Sequence, residues 1–437
     1  MVGRTPPAHT IKAPPDTFIN QVSNNIRTHI YYIQTHYNYP RIKMPRYILF
    51  PLVFLTMLLA TACGGDDDSQ PDPPVPTEPE TVNRTVVVYM VADNTLGSSS
   101  LDREDLKEMI KASAGGFEDG RLLVYWSPWT EGPYEPVTRL VEVTPDGLLE
   151  LLTYPSDTKG ASVEPDRITK VMADVKELAP AESYGLVFWS HANGWLGALN
   201  KATSDRYKAF GDDNGYHINI TSLARALEGQ KFDFIYFDCC LMGNIETIYE
   251  LRNLTDRIVA SPTDLGVEGM PYDLNAPGFF SPVPDLAAAA ANTFDWYSSA
   301  GRECQMAVYD LTRLPEFTRA TAEIFASLTD YPEGINSIQR YVKPGETCHS
   351  YDMEAYMELI ASPEALAAWR AALDELVVYK ATTQWGIGSL RISRYCGLGS
   401  FAIRRSSDIG WRGYSDLAWW TDVVSKAPAY AQNTSER

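Results

Sequence analysis

The sequence predicts an α/β fold: a mostly parallel sheet with helices on its faces. Three observations carry this. Strand-like and helix-like segments alternate from residue 84 to 252. The strand-like runs are continuous apolar stretches, as strands buried on both faces are. Two chemistry-bearing residues, His191 and Cys240, each follow the C-terminal end of such a run, the edge where open α/β sheets bind ligands.

In order, Arg84 to Ala92 (RTVVVYMVA) reads as a buried strand closing on Asp93-Asn94. A helix follows over about 101–113, its apolar stripe being Leu101, Leu106, Met109 and Ile110. Leu122–Trp126 and Thr138–Val143 are strands, separated by a loop with Pro128, Gly132 and Pro133. Residues 166–178 form a helix capped by Asp166. Leu186–Trp189 is the next strand, with His191 just beyond it. The polar stretch that follows carries Lys201, Arg206 and Lys208, and Asn214-Gly215 marks a tight turn. Asp212, Asp213 and Asn214 hint at a calcium loop, but position 12 counted from Asp212 is Leu223, not glutamate, so a turn is the better account. Phe234–Phe237 is a strand, leading into a helix with Ile245, Ile248, Tyr249 and Leu251.

Past Val259 the texture changes. Helices are expected near 284–300, 313–329 and 352–381, strands at Ala307–Tyr309 and Ser400–Ile403, and a final helical segment in YSDLAWWTDVV. This half reads as a second layer packed on the first sheet, dividing the chain into a core over 83–260, a C-terminal region over 261–425 and a tail. Cys348-His349 beside Asp352 and Glu354 reads as a helix start capped by Asp352 rather than a metal site. Cys304, Cys348 and Cys396 can include a disulfide, whose pairing sequence does not fix.

The N-terminal part speaks of location. Tyr47 to Ala62 is uncharged and apolar, follows Arg41, Lys43 and Arg46, and ends in LLATAC. That suits a signal peptide better than a membrane span. The small residues before Cys63 resemble a bacterial lipobox, which implies cleavage there and acylation of Cys63. The other reading is an ordinary secretory signal. Residues 1–43 have no signal-like pattern, so translation is expected to start at Met44. GGDDDSQPDPPVPTEPE then reads as an extended tether. Acidic residues after a lipidated cysteine resemble a surface-export signal, pointing to the outer membrane of a Gram-negative cell, facing outward. The chain has 437 residues and a formal charge of −19; six basic residues and one acidic precede Cys63, so the remainder carries −24. Such a body repels nucleic acid and anionic lipid headgroups, and favours basic peptides or sugars as partners.

The chemistry concentrates in Phe232–Leu251, FDFIYFDCCLMGNIETIYEL. Alternation puts Asp238 and Cys240 on one face and Cys239 on the other. Cys240 is the candidate nucleophile, and a helix N-terminus just beyond it is expected to lower its pKa into the roughly 3.5–7.5 window. Beyond Cys63 the histidines are His191, His217 and His349, so an imidazole base is one of these. His191 qualifies by position, and the backbone N–H groups of Ala192 and Cys240 are candidates for an oxyanion hole. The bland alternative is a buried cysteine and a satisfied loop histidine; on pattern alone both stand.

Over about 84–425 the sequence resembles the clostripain family of cysteine peptidases, in the caspase-like clan. The matching blocks are VVVYMVADNTL with DREDLKEM, LVFWSHANGW, FDFIYFDCCLMGNIETIYEL, ASPTDLGVEGMPYDL, VYDLTRL and YSDLAWW. The resemblance implies a caspase-like three-layer α/β/α core with a C-terminal α/β extension. It implies His191 and Cys240 as a catalytic dyad, and Asp238 in an S1 pocket pairing with a P1 Arg or Lys. It also implies self-cleavage in the 197–210 loop, at Lys201, Arg206 or Lys208, giving two chains that stay associated. No cofactor is required by the pattern; the resemblance leaves calcium open. Two residues depart from the family: Ala192 where glycine is usual, which puts oxyanion-hole geometry in question if a positive φ is needed, and Cys239 where alanine is usual. The expectation is a lipid-anchored endopeptidase cleaving after Arg or Lys. Its rival is an inactive surface-binding lipoprotein that keeps the fold, with Ala192 as the reason.

Overall fold

The computed structural model describes residues 79–130, 137–155, 159–196 and 209–431. Cys63 and the self-cleavage candidates Lys201, Arg206 and Lys208 lie outside the described residues, as do the signal and tether segments.

The strands in chain order are β1 (Val82–Ala92), β2 (Gly120–Pro128), β3 (Thr138–Thr144), β4 (Gly147–Tyr154), β5 (Ala181–Trp189), the hairpin β6–β7 (Phe210–Asp213 and Tyr216–Ile218), β8 (Phe234–Asp238), β9 (Arg257–Ala260), β10 (Gln305–Asp310), β11 (Tyr351–Asp352) and β12 (Val377–Thr382). Nine of them form one sheet in the order β12-β10-β9-β8-β5-β1-β2-β3-β4. From β9 through β2 neighbours run parallel; both edges are antiparallel.

Helices cover both faces, which is why the central strands lack polar alternation. Val87, Tyr89 and Val91 of β1 face one core, shared with α3 (Pro165–Leu178), α4 (Ile220–Ala226), α5 (Ile245–Glu250) and helices of the C-terminal half. Val86, Val88 and Met90 face the other, built with α2 (Leu101–Ser113) and α6 (Leu286–Ser299). A short helix, α1 (Thr95–Ser98), tops β1. The architecture is a three-layer α/β/α sandwich. Among the described residues no helix is long and apolar enough to cross a membrane.

The C-terminal half differs from a simple second layer. β9, β10 and β12 extend the same sheet, so the boundary near residue 260 falls inside one hydrogen-bonded structure. The helix expected over 352–381 is α8 (Met353–Ile360) and α9 (Pro363–Leu376), after α7 (Leu314–Ser327), and it ends in β12. Pro363 has no N–H and so starts a new helix rather than continuing the first. The strand expected at Ser400–Ile403 shrinks to a two-residue pairing, Gly399–Ser400 with Tyr351–Asp352. β4 was not expected; as an edge strand it is largely exposed, and its LLELL run gives no clean alternation. Asp166 does not cap α3: Glu164 holds the N-cap position and Pro165 the first turn. Asp352 caps α8 through Ala355 N at 2.8 Å. Cys304, Cys348 and Cys396 are free thiols, so the disulfide does not form.

Candidate functional site

Trp189 of β5 and Asp238 of β8 are paired across the parallel ladder. His191 and Cys240 each lie two residues beyond that pair, so the topology brings both to the C-terminal edge. There they line one cleft of about 810 Å³, together with Thr95, Ala192, Asp212, Asp264 and Lys343.

The strand that delivers His191 is anchored by its neighbours. Ser190 Oγ donates to Val91 O at 2.8 Å and accepts from Asp212 N at 3.1 Å. Gly211 N donates to His191 O at 2.9 Å, and Asn193 N to Ala209 O at 3.0 Å, pinning the loop against β6. His191 Nε2 lies 2.7 Å from Thr95 Oγ1 at the start of α1. Ala192 does not occupy the left-handed region, so its Cβ carries no conformational penalty here.

The strand that delivers Cys240 turns sharply. Leu241 has φ 63°, a left-handed conformation that costs a non-glycine residue roughly 1–3 kcal/mol. It is held by Leu241 N to Thr263 O at 2.9 Å and by Asn244 Nδ2 to Leu241 O at 2.6 Å. Gly194 of the histidine loop packs on this turn: a Cβ there would sit 2.6 Å from Asn244 Nδ2 and 2.9 Å from Leu241 O. Asn244 then caps α5 through Thr247 N at 2.9 Å.

Cys239 is buried in the core shared with α5, while Cys240 is half-buried on the opposite face beside Asp238. The expected low thiol pKa is overturned. α5 begins only at Ile245, five residues beyond the thiol, and its N-cap Asn244 takes up Thr247 N. Burial, then the charge of Asp264, pushes the Cys240 thiol up to about 12, against opposing help from Leu265 N and Lys343. Leu265 N lies 3.4 Å from Sγ.

Asp238 lines a second, smaller pocket of about 30 Å³ with Trp189, His191, Cys240, Val267 and Gly269, room for about one water. Its Oδ1 accepts from Met270 N at 2.9 Å; Oδ2 is buried with no close hydrogen bond, and the Tyr272 hydroxyl interacts with the carboxyl and holds its pKa down. Behind it lies Asp105 of α2, whose Oδ2 accepts from Trp189 Nε1 at 2.5 Å. Burial raises the pKa of both carboxyls, Asp105 the more because Asp238 repels its charge.

Several residues that shape the site were not singled out in the sequence: Thr95, Asp105, Asp264 and Lys343. The first three lie within family-like blocks, yet only the fold shows which side chains converge. Lys343 comes from a loop with no catalytic pattern around it. Conversely, His217 bonds to the carbonyl of Gly211, and His349 is buried with its pKa lowered to about 4 by desolvation. Neither lines the cleft. Asp212 Oδ1 closes the Asn214-Gly215 turn through Gly215 N at 2.8 Å, and Asp213 Oδ2 accepts from Ser162 N at 2.7 Å. Among the described residues no group of three or more His, Cys, Asp and Glu side chains is placed to hold a metal ion.

Comparison with known proteins agrees with this architecture. No curated protein sequence matches the chain. Among solved structures it is similar to an inactive zymogen C11 protease from Parabacteroides distasonis, at 26% identity and TM-score 0.69, covering 79% of this chain and 99% of that one. It is also similar to a secreted C11 cysteine protease from Bacteroides thetaiotaomicron, solved with an irreversible peptide inhibitor, at 26% identity and TM-score 0.66, covering 78% and 98%. The model of the clostripain family matches residues 88–406, well over half of the sequence, and the chain therefore belongs to the clostripain family of cysteine peptidases.

Proposed function

We propose that this protein is an endopeptidase that cleaves after Arg or Lys, with Cys240 as nucleophile and His191 as its acid–base partner. The observation that carries the reading is the register of β5 and β8: it sets imidazole and thiol in one cleft, with the buried carboxyl of Asp238 in the adjoining pocket. Cys240 Sγ attacks the scissile carbonyl, and the N–H groups of Ala192 and Cys240 receive the oxyanion. His191 protonates the leaving amine, then deprotonates the water that hydrolyses the thioester. Asp238 pairs with the P1 cation, and a buried carboxylate left bare by any neutral side chain rejects it.

The uncut chain suits a precursor. The thiol is protonated, His191 faces Thr95, and the Asp238 pocket holds about one water, so a P1 side chain enters only after the 265–269 loop shifts. Self-cleavage at Lys201, Arg206 or Lys208 would be the maturation step. The two products would remain joined, because β5 and β8 pair within one sheet. A lipid anchor at Cys63 and a place on the outer surface rest on the export-signal pattern alone; a protease tethered there meets peptides and proteins outside the cell.

The test is hydrolysis of fluorogenic Arg and Lys peptides by the purified protein and its Cys240→Ala variant, with reductant and with or without calcium. Turnover that vanishes in the variant supports the reading, as does a single intact band for the variant beside two for the parent. Silence in both favours the binding lipoprotein instead.

A further inference from the structure

The thiol has a second ionisable neighbour besides the histidine. Asp264 lies in the 261–266 turn, one residue before Leu265, whose N–H points at Cys240 Sγ from 3.4 Å. Its carboxylate lines the cleft with Cys240 and interacts with the thiol, whose Sγ also donates to Leu265 O at 3.7 Å. His191 Nε2, by contrast, is engaged by Thr95 Oγ1 at 2.7 Å. Lys343 sits behind Asp264, with Nζ 3.6 Å from Oδ2 and 3.3 Å from Glu346 Oε1. The loop bearing Lys343 is built to stay put. Arg340 donates to the carbonyls of Val342, Lys343 and Glu346 at 2.6, 2.9 and 2.7 Å, and the lysine stem packs on Gly388.

We propose that Asp264, paired with Lys343, is the base that takes the proton of Cys240, leaving His191 to serve the leaving amine and the hydrolytic water. The inference rests on Cys240 being the nucleophile. In acylation the S–H proton passes to Asp264 as the C–S bond forms. The C–N bond then breaks and the amine takes its proton from the imidazolium of His191. In deacylation neutral His191 takes a proton from water as the C–O bond forms, and the departing sulfur recovers its proton from Asp264. Both residues end as they began. The arrangement explains how a thiol beside a negative charge can still react: the carboxylate that discourages a standing thiolate is the group that accepts the proton during attack. Burial raises the pKa of Asp264, which strengthens it as a base, while Lys343 limits the rise. The charged or titratable groups facing it are Lys343, Glu346 and Cys240, with His191 and Asp212 on the same cleft.

Asp264→Asn separates this from the alternatives, because it moves two readouts in opposite directions. With the negative charge gone the Cys240 thiol ionises more easily, so iodoacetamide alkylation at pH 7 should quicken. Peptide hydrolysis should fall, with kcat about 100-fold lower, the scale of a lost general base, and KM within about threefold. Asp264→Glu should recover part of kcat. Hydrolysis that is preserved or quickened with alkylation would return the thiol proton to His191 and overturn the proposal. So would an unchanged kcat with KM raised tenfold or more, which would make Asp264 an anchor for the substrate cation. Should Asp264→Asn not fold, Lys343→Met decides: without the ammonium the carboxyl pKa rises, and the acid limb of the kcat profile must move to higher pH. A limb that stays in place overturns the proposal. If Cys240→Ala keeps full turnover, it is the nucleophile assignment that fails.

Discussion

Asp238 is the side chain on which the proposed specificity rests. Its backbone alternates onto the face of Cys240, its Oδ1 is held by Met270 N, and its Oδ2 is buried with no close hydrogen bond beside the Tyr272 hydroxyl. A buried acceptor left bare is costly, and a lysine or arginine head removes that cost. Asp238→Asn keeps the shape and removes the charge. Its kcat/KM on Arg and Lys peptides is expected to fall about 100-fold, within the range for unpairing a buried charge contact, while Cys240 still alkylates with iodoacetamide. The same carboxyl predicts a pH dependence. Burial raises its pKa, so acidification protonates it at a higher pH than an ordinary aspartate, and 1/KM for cationic P1 residues should decline as pH drops. Steady-state kinetics across pH on paired Arg and norleucine substrates would reveal it, since the neutral residue should show no such limb. Asp238, Cys240 and His191 were legible in the sequence because strand period and strand ends fix their placement. Asp105 and Asp264 were not. Each belongs to a segment whose local pattern is that of a helix or a turn, and the chain closes 133 residues, from 105 to 238, before the first finds its place.

At the scale of elements, the site is a meeting of two turns, one after β5 and one after β8. Gly194 is the contact that allows it, with φ +67° and no space for a methyl group against Asn244 and Leu241. Gly194→Ala would combine a left-handed penalty of about 1 kcal/mol with a clash on the residue that caps α5. A total destabilisation of roughly 1–3 kcal/mol is expected, read as a lower urea midpoint. Activity should fall further than stability, because the displaced turn carries Cys240. The expectation fails if the variant melts and turns over as the parent does. Elements with a strong local signature were readable: β1, β8 and α2 each matched their apolar period to within a few residues. β4 and β12 were hidden, for a common reason. Both are edge strands with exposed side chains, and their residues serve a helix or a strand equally well until a partner strand is present. Pro363 was the overlooked signal that one long helix was two.

Across the whole molecule, the acids share one electrostatic habit. Burial raises the pKa of Asp102, Asp105, Glu108, Asp213, Asp238, Glu246, Glu250 and Asp264. Glu246 is the clearest case outside the cleft. It lies in α5, accepts from Phe401 N at 2.8 Å and Ser400 Oγ at 3.2 Å, and is pushed up to about 8 by desolvation. A carboxyl whose folded pKa exceeds its unfolded value binds a proton more tightly when folded. The stability it contributes is complete below the unfolded value near 4.5 and is lost as pH rises through the folded one. The raised acids therefore act in the same direction. Asp310, Glu316 and Glu358, whose pKa values are lowered, oppose them. A body carrying −24 beyond residue 62 adds self-repulsion at the alkaline end. The protein should accordingly be most stable in mildly acidic solution and soften between about pH 5 and 8. Glu246→Gln removes one of these protons, so its urea stability should decline less steeply over that window, by up to about 1.4 kcal/mol per pH unit. Parallel curves for parent and variant would mean that Glu246 is ionised throughout, and that the strand at Gly399–Ser400 is held to the turn after β8 by a charge rather than by a protonated acid.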